Sequence, residues 1–310
     1  MGFASPRAFG GVGFMLDRIA ADVELRRSVA SALTGADNLD EPCRVELSAL
    51  ITNLAEANGQ PVEAVIRGHA PQHVGLGTKT ALKLALISGY HRLAGLPIDR
   101  VAQQRSSGRG GASGIGVHGF FEGGVLWDAG KPLDEIPTLL PSGASIALST
   151  PVLMARYLFP KSWVIGLCLP DAKHLHGDDE RRFFEANAPT ARSDALETMA
   201  FLYHGVLPAF QLQDISLLAS SLAAIVRTGF KHLEVKRCGA TVINLLGDLS
   251  ASGYAAGMSS MGPLVYVIFP ADDARAAADV KAICSGHGAQ WLGICGGLNR
   301  GADIRWVTTR

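Results

Sequence analysis

A glycine-spaced loop that runs directly into a long apolar helix is the feature that most constrains this chain. Gly75 and Gly77 lie just before a predicted helix over 78–93. Glycine lets backbone N–H groups approach a ligand closely, and the N–H groups of a first helical turn have no intrahelical acceptor. The pattern therefore predicts a cradle for a phosphate or another anion. The polar side chains next to this cradle are His73, Thr78 and Thr80.

Two lysines at the start of the same helix strengthen this interpretation. Lys79 and Lys83 are four residues apart and so share one helix face. A cation near a helix N-terminus is disfavoured by about 0.3–1 kcal/mol, and a bound anion would reverse this penalty. The loop matches neither the Walker A pattern nor the three-glycine dinucleotide fingerprint. A tight strand-to-helix turn with incidental lysines is the competing interpretation, and we favour the phosphate site over it.

Arg105 and Arg109 bracket a second loop rich in Gly and Ser, which continues to Ser113. Guanidinium groups match phosphate oxygens in bidentate geometry better than ammonium groups do. We therefore expect both arginines to serve the same anion, although a solvated surface loop explains this segment equally well when it is taken alone. Strands over 115–121 and 125–128 are predicted to follow as a β-hairpin.

A third loop, over 257–263, carries Ser259 and Ser260 just before a strongly apolar predicted strand. Serine hydroxyls and loop N–H groups can close over a phosphate from the opposite side. Taken alone, an ordinary loop that enters a strand is the simpler explanation of this segment.

Titratable residues outside these loops are candidates for metal binding and acid–base chemistry. A polar cluster could ligate a metal, but its spacing fits no strong zinc pattern, and the start of a helix explains it better. Asp17 and Asp128 could supply oxygen ligands to Mg²⁺ beside a diphosphate, and spacing cannot rank them. His73 and His118 are candidate acid–base groups or ordinary structural histidines. The polar cluster comprises His174, His176, Asp178, Asp179 and Glu180.

Hydrophobic periodicity predicts a mixed α/β chain with two packed units and a domain change around 150–165. Strand, helix, strand and strand at the end of the chain suggest a ferredoxin-like α/β sandwich. Further strands are predicted over 19–25, 62–66, 152–158, 163–169, 264–269, 289–294 and 303–308, and further helices over 42–57, 178–187, 191–206, 212–229 and 272–284.

The composition limits which cellular compartments and which binding partners we expect for this chain. Lys plus Arg and Asp plus Glu both number 28 among the 310 residues, so no global charge attracts nucleic acid or an anionic membrane. The five cysteines form no C-x-x-C pair and are expected to be reduced thiols. No secretory signal and no apolar run long enough to span a bilayer is expected. These features predict a soluble cytoplasmic protein with small-molecule substrates.

Taken together, the motifs resemble those of one protein family. Residues 71–78 resemble the glycine motif of the GHMP kinase superfamily, in the form found in β-ribofuranosylaminobenzene 5′-phosphate synthases. Those synthases also carry a Gly-Arg-Gly loop, a Ser-Gly-Ile-Gly segment, a Phe-Glu-Gly-Gly turn and a later Ser-Ser-x-Gly-Pro motif. The corresponding segments here are 108–110, 113–116, 121–124 and 259–263, and segments 175–180, 207–209 and 299–302 also fall in the family's order.

The resemblance covers nearly the whole chain and implies a two-domain GHMP-kinase-like fold. A ribosomal-protein-S5-like domain would span 1–160 and a ferredoxin-like domain 161–310. The implied enzyme is a decarboxylating phosphoribosyltransferase. It joins phosphoribosyl diphosphate to 4-aminobenzoate or 4-hydroxybenzoate, with release of CO₂ and diphosphate, in tetrahydromethanopterin biosynthesis. Mg²⁺, no organic cofactor and a homodimer are also implied.

For this reaction we assign catalytic roles to Lys79, Arg105 and Arg109, which would stabilise the charge of the departing diphosphate. Two other functions stay open. An ATP-dependent small-molecule kinase shares the fold, and a non-catalytic ligand-binding homologue is conceivable because Lys79 stands where the family more often has glycine. The predicted substrate-binding residues are His73, Gly75, Gly77, Thr78, Thr80, Ser113, Ser259 and Ser260.

Overall fold

The computed structural model describes residues 6–18, 20–136, 138–141, 149–172 and 177–307. The predicted metal candidates His174 and His176 lie outside these ranges. The strands are β1 (Arg7–Ala8), β2 (Gly11–Phe14), β3 (Ala21–Arg27), β4 (Ala32–Thr34), β5 (Val62–His69), β6 (Val125–Asp128), β7 (Lys131–Pro132), β8 (Leu153–Tyr157), β9 (Trp163–Leu169), β10 (Ala255–Met258), β11 (Val265–Pro270) and β12 (Gln290–Cys295). The α-helices are α1 (Glu41–Asn58), α2 (Thr78–Ala94), α3 (Arg100–Ser106), α4 (Ile115–Glu122), α5 (Gly177–Asn187), α6 (Arg192–Phe201), α7 (Leu207–Leu212), α8 (Ile215–Ile225), α9 (Gly229–Cys238), α10 (Ala240–Ala251) and α11 (Ala274–Gly286).

The C-terminal sheet is four-stranded and antiparallel, in the order β10-β11-β9-β12. Because β9 is first in the chain, β10 second, β11 third and β12 last, this is the strand order of a ferredoxin-like sandwich, as predicted. Its two faces are buried in different cores, since side chains alternate along each strand. In β11, Val265, Val267 and Phe269 join one core, and Tyr266 and Ile268 face the other.

The N-terminal part contains sheets with the orders β3-β5-β4, β2-β6-β8 and β1-β7. Helices α1 and α2 form a core with the first of them. α2 is apolar around most of its circumference, and side chains such as Leu82, Leu86 and Tyr90 are fully buried. The prediction that this helix is central rather than superficial is therefore confirmed.

One core links the two parts of the chain. Val74 and Val125 from the N-terminal part pack with Ile165 and Phe210 in a single hydrophobic cluster. The strands predicted over 152–158 and 163–169, which we expected to pair with each other, form as β8 and β9 but belong to different sheets. A division of the chain at residue 160 stays a proposal.

The predicted hairpin over 115–128 is wrong in its first half, because residues 115–122 form helix α4. A short apolar run fits a strand and a buried helix equally well, so periodicity could not distinguish them. Packing decides in favour of the helix, which contacts α2 and β2. Gly119 allows this close approach, since a Cβ there would lie 2.3 Å from the Met15 sulfur.

Further differences from the sequence prediction lie in the C-terminal half. Helices α9 and α10 and strand β10 were not predicted. The expected strand over 303–308 does not form over 303–307, where the chain is exposed and makes no strand pairing.

Arg105, assigned to a loop, ends helix α3, whose N-terminus is capped by Asp99. Among the described residues, no helix is both long and apolar enough to cross a bilayer.

Candidate functional site

A cleft of about 2090 Å³ lies between the glycine loop and the C-terminal sheet. Every residue predicted to be catalytic or substrate-binding except Arg105 lines it, including residues that lie more than half of the chain apart. Arg105 is exposed on the last turn of α3, away from the cleft lining. The predicted residues that the fold brings together are His73, Gly75, Gly77, Thr78, Lys79, Thr80, Arg109, Ser113, Ser259 and Ser260.

The glycine loop needs three left-handed residues within five positions. The φ angles are +58° at His73, +91° at Gly75 and +68° at Gly77. Gly77 is the N-cap of α2, and no side chain accepts a hydrogen bond from the first-turn amides. The first turn of α2 also lines the cleft, so its backbone N–H groups are available to an anion there.

The Ser259 loop closes directly on the glycine loop. The Ser259 hydroxyl donates a 2.6 Å hydrogen bond to the Gly75 carbonyl. A Cβ on Gly75 would lie 2.6 Å from the Ser259 hydroxyl oxygen, and one on Gly262 would lie 2.0 Å from the Val74 carbonyl carbon. The two loops therefore fit together only because both positions are glycine.

Ser260 is held by a carboxylate that the sequence analysis did not identify. Glu234 on α9 is 2% exposed and accepts hydrogen bonds from the Ser260 hydroxyl at 3.2 Å and the Met261 amide at 3.1 Å. Lys231 forms an ion pair with the same carboxylate. Glu234 thus fixes the loop that carries both serines. No local pattern marks this role, since the partners lie 26 and 27 residues away.

Both lysines of the cradle pair with one glutamate on α1. Glu46 contacts Lys79, and its other oxygen lies 2.9 Å from the Lys83 ammonium nitrogen. Burial alone would raise the pKa of Glu46, but hydrogen bonds from the two lysines outweigh it and hold the pKa below its usual value. The unfavourable position of the lysines at the helix start is therefore relieved inside the protein.

Arg109 reaches the same helix from the second loop. Its Nε donates a 2.9 Å hydrogen bond to the Thr80 hydroxyl. Burial lowers the pKa of Arg109, and the nearby carboxylates Glu46 and Glu180 oppose this effect. The Thr78 hydroxyl donates to the Pro71 carbonyl at 2.9 Å. Both threonine hydroxyls therefore have protein partners, and the hydroxyl of the exposed Ser113 accepts a 3.3 Å hydrogen bond from the Ile115 amide.

His73 belongs to a polar network with the N-cap of α1. Asp40 lies 2.6 Å from His73 Nε2 and accepts a 2.8 Å hydrogen bond from the Gln72 side chain. Burial would raise the pKa of Asp40, but hydrogen bonds from His73 and the Cys43 amide hold the pKa below its usual value. The sequence signal for Asp40 was present as an Asp-Glu-Pro helix start. Its contact with the glycine loop was not predictable locally.

The side chains of Asp128 and His118 form hydrogen bonds with backbone groups of the protein. Asp128 is 1% exposed and accepts 2.9 Å hydrogen bonds from the amides of Gly114 and Gly130. Burial raises its pKa. His118 Nε2 lies 2.7 Å from the Pro151 carbonyl oxygen. Asp17 accepts a 2.7 Å hydrogen bond from the Gly296 amide.

Glu180, in the first turn of α5, is a half-buried cleft carboxylate that has no hydrogen-bond partner within the described part of the chain. Burial raises its pKa, and His73 and Arg109 act in the opposite direction. No group of three or more metal-ligating side chains occurs within the described ranges. A Mg²⁺ ion bound beside a diphosphate keeps water and phosphate oxygens as most of its ligands, so a single carboxylate is compatible with it.

The fold is an α/β architecture similar to that of the GHMP kinases. Homoserine kinase from Cytophaga hutchinsonii superposes with a TM-score of 0.71 at 16% identity, over 94% of this chain and 90% of that one. Phosphomevalonate kinase from Streptococcus pneumoniae superposes with a TM-score of 0.67 at 11% identity, over 95% and 94%. These similarities confirm the predicted fold.

Sequence similarity identifies the family to which the chain belongs. It is 34% identical to beta-ribofuranosylphenol 5′-phosphate synthase from Archaeoglobus fulgidus, over 84% of this chain and 80% of the relative. It is 31% identical to the protein of the same name from Methanothermobacter thermautotrophicus, over 96% and 91%. No family model matches the chain. The chain belongs to the beta-ribofuranosylphenol 5′-phosphate synthase family, as its motifs indicated.

Proposed function

We propose that this protein joins phosphoribosyl diphosphate to 4-hydroxybenzoate, releasing diphosphate and CO₂, as a step in the biosynthesis of a methanopterin-type cofactor. The observation that carries the proposal is an open anion cradle at the start of α2 in a member of this synthase family. The relatives are named for a ribofuranosylphenol product. A phenol ring remains when 4-hydroxybenzoate loses its carboxylate, so we prefer this acceptor to 4-aminobenzoate.

The donor's diphosphate is bound at the mouth of α2. The first-turn amides, Lys79 and Arg109 line this part of the cleft and face the departing charge. Because the bond from the ribosyl carbon to diphosphate breaks heterolytically, groups that stabilise the leaving anion lower the barrier most. Arg105 is exposed outside the cleft lining, so its proposed part requires the C-terminal end of α3 to move toward the cleft.

Mg²⁺ is part of the proposal, with Glu180 as the side chain that would hold it. The carboxylate lines the cleft, has no hydrogen-bond partner in the described chain, and interacts electrostatically with Arg109. When bound, the ion would neutralise part of the diphosphate charge.

The remaining chemistry needs position more than a strong base. The acceptor ring attacks the ribosyl carbon through the ring carbon that carries the carboxylate. One carbon–carbon bond forms as the bond to diphosphate breaks. The ring–carboxylate bond then breaks, CO₂ leaves, and its electron pair restores aromaticity.

The direct test is an incubation of the purified protein with phosphoribosyl diphosphate, Mg²⁺ and carboxyl-labelled 4-hydroxybenzoate. We expect release of labelled CO₂ that requires both substrates, and slower release with labelled 4-aminobenzoate. No release from either acceptor would contradict the proposal. A parallel assay with ATP and small alcohols measures ADP, and alcohol-dependent ADP formation would favour a kinase instead.

A homodimer in a reducing cytoplasm completes the proposal. All five cysteines are free and buried, which suits a reducing compartment. Apolar side chains are exposed on the edge strand β8 and just after it, with Met154 at 53% and Leu158 at 61%. Light scattering after size-exclusion chromatography should give twice the chain mass of 32.6 kDa, and a value at the chain mass would contradict the dimer.

A further inference from the structure

Beside the cradle, the cleft extends into an apolar region that the donor does not need. We call the part lined by the half-buried rings of Phe14 and Tyr266, which pack against the buried core side chains Phe210, Leu218 and Ile268, the aromatic chamber. The rings of Phe14 and Tyr266 meet edge to face with centroids 5.1 Å apart, and those of Phe14 and Phe210 are 6.4 Å apart. Such a lining suits a flat aromatic ligand, because ring edges and faces attract one another at these distances.

Tyr266 brings a polar group into this chamber. It pairs with Gly257 in the C-terminal sheet, and a Cβ on Gly257 would lie 2.4 Å from the Tyr266 hydroxyl oxygen. The hydroxyl therefore lies over the bare Cα of Gly257. No hydrogen-bond partner for it exists among the described residues. The side chain is half-buried and lines the cleft, so a ligand there can complete the hydrogen bond.

The chamber and the cradle are adjacent through one strand. β10 carries Gly257 and leads directly to Ser259, which binds the Gly75 carbonyl. A benzoate that reacts at its carboxylate-bearing carbon must present that end to the donor in the cradle. Its 4-substituent is at the opposite end of the ring and would then point into the chamber.

We propose that the aromatic chamber is the acceptor subsite, and that the Tyr266 hydroxyl hydrogen-bonds the 4-substituent of the benzoate. This deepens the proposed function and rests on it, because it names the residue that recognises the acceptor. Burial raises the pKa of Tyr266 to about 12. The phenol is therefore protonated at neutral pH and can both donate and accept a hydrogen bond.

A thermodynamic cycle between one protein hydroxyl and one ligand hydroxyl tests this contact. Calorimetry would measure the affinities of 4-hydroxybenzoate and benzoate for the wild-type chain and for Tyr266→Phe, without donor. In the wild type we expect 4-hydroxybenzoate to bind roughly 3- to 10-fold more tightly than benzoate, the usual net effect of one hydrogen bond. In Tyr266→Phe the ratio should fall to about one, because phenylalanine lacks the hydroxyl.

Tyr254→Phe is the matched control, since Tyr254 packs in the core on the other face of the same sheet. It should retain the wild-type affinity ratio. An unchanged ratio in Tyr266→Phe would overturn the proposal. Failure of both benzoates to bind the wild type would also overturn it, because the cleft that Tyr266 lines is already formed without donor.

The release of labelled CO₂ by the same wild-type preparation separates this proposal from the function on which it rests. If the wild type releases CO₂ but the affinity ratio of the two benzoates is unchanged in Tyr266→Phe, only the role of Tyr266 is refuted. If the ratio of 4-hydroxybenzoate affinity to benzoate affinity falls to about one in Tyr266→Phe but the wild type releases no CO₂, the proposed reaction is refuted and the aromatic binding site is retained.

Discussion

Helices α1 and α2 pack against each other beneath the cleft, yet their N-termini differ. At α1, Asp40 accepts a hydrogen bond from the Cys43 amide and Glu41 adds an acidic side chain in the first turn. At α2, the cap is Gly77, no side chain accepts from the amides, and no acidic residue lies in the first turn. The positive end of α1 is therefore neutralised within the protein, and that of α2 remains open toward the cleft.

Two kinds of positive charge at the start of α2, the lysine ammonium groups and the backbone amides, are balanced differently within the protein. The Lys79 and Lys83 ammonium groups are balanced by Glu46, which α1 supplies. The α2 amides have no such partner from a side chain. In the proposed donor complex, an entering diphosphate would find these amides without a side-chain partner but would compete with Glu46 for the lysines. The following changes test this division.

The largest effect should come from Gly75→Ala. Its φ of +91° disfavours a side chain, and a Cβ would lie 2.6 Å from the Ser259 hydroxyl oxygen. Backbone strain of about 1–2 kcal/mol and overpacking of about 1–3 kcal/mol should add to a substantial loss of unfolding free energy. Donor binding should be lost with it, because the cradle amides move. Urea unfolding and calorimetry with phosphoribosyl diphosphate measure the two effects.

Gly59→Ala, at the C-cap of α1, is the matched control. Its φ is +64°, but nothing lies within 4 Å of the added Cβ. It should cost only the backbone strain of about 1–2 kcal/mol and leave donor binding intact. Equal effects of the two substitutions would show that the contact between the loops is unimportant.

Arg109→Ala should have the next largest effect. Removal of one donor that faces developing negative charge lowers the rate by about 10²–10³-fold in comparable sites. Arg109→Lys keeps the charge but loses the hydrogen bond to Thr80, so it should recover only part of the activity. The measurement is kcat/KM for labelled CO₂ release. Full activity of Arg109→Ala would remove Arg109 from the proposed mechanism.

Asp40→Ala breaks the capped terminus and should cost about 1 kcal/mol of unfolding free energy. Because hydrogen bonds from His73 and the Cys43 amide outweigh burial and lower the pKa of Asp40, its contribution is complete above the unfolded pKa of about 3.9. The contribution is lost as pH falls through the lower folded value. The difference between wild type and Asp40→Ala in urea unfolding should therefore shrink in strong acid.

Asp99→Ala provides the comparison for Asp40→Ala, because Asp99 caps α3 away from the glycine loop. Both variants should lose similar amounts of unfolding free energy. Only Asp40→Ala should raise the KM for the donor, because it removes the contact between Asp40 and His73. Identical KM values in the two variants would show that the His73 contact has no part in donor binding.

The smallest effect is expected from Glu46→Gln. Removal of the charge that holds Lys79 and Lys83 should tighten binding of inorganic diphosphate by about fivefold, since partly exposed ion pairs contribute up to about 1 kcal/mol. Stability should change by less than that amount. Calorimetric titration with diphosphate gives the affinity. Weaker binding than in the wild type would mean that Glu46 positions the lysines rather than competing for them.

Local patterns along the chain were sufficient for the long elements. α1, α2 and β5 appear close to their predicted bounds because caps, apolar periodicity and length agree there. α4 was mistaken for a strand, since a short run of mostly apolar and glycine residues carries no decisive period. The charged helix α9 was missed, although its Glu234 holds the loop that carries Ser259 and Ser260.

The sequence by itself determined the glycine loop and the open start of α2, which we propose as the anion cradle, because glycines at 75 and 77 and a helix start without a capping side chain are local features that need no distant partner. It also contained the motifs by which the family could be recognised. The tertiary structure alone decided which groups surround the cradle. Glu46 reaches Lys79 across 33 residues, and Ser259 reaches Gly75 across 184. Contacts over such separations depend on how whole elements pack, and no local periodicity records them.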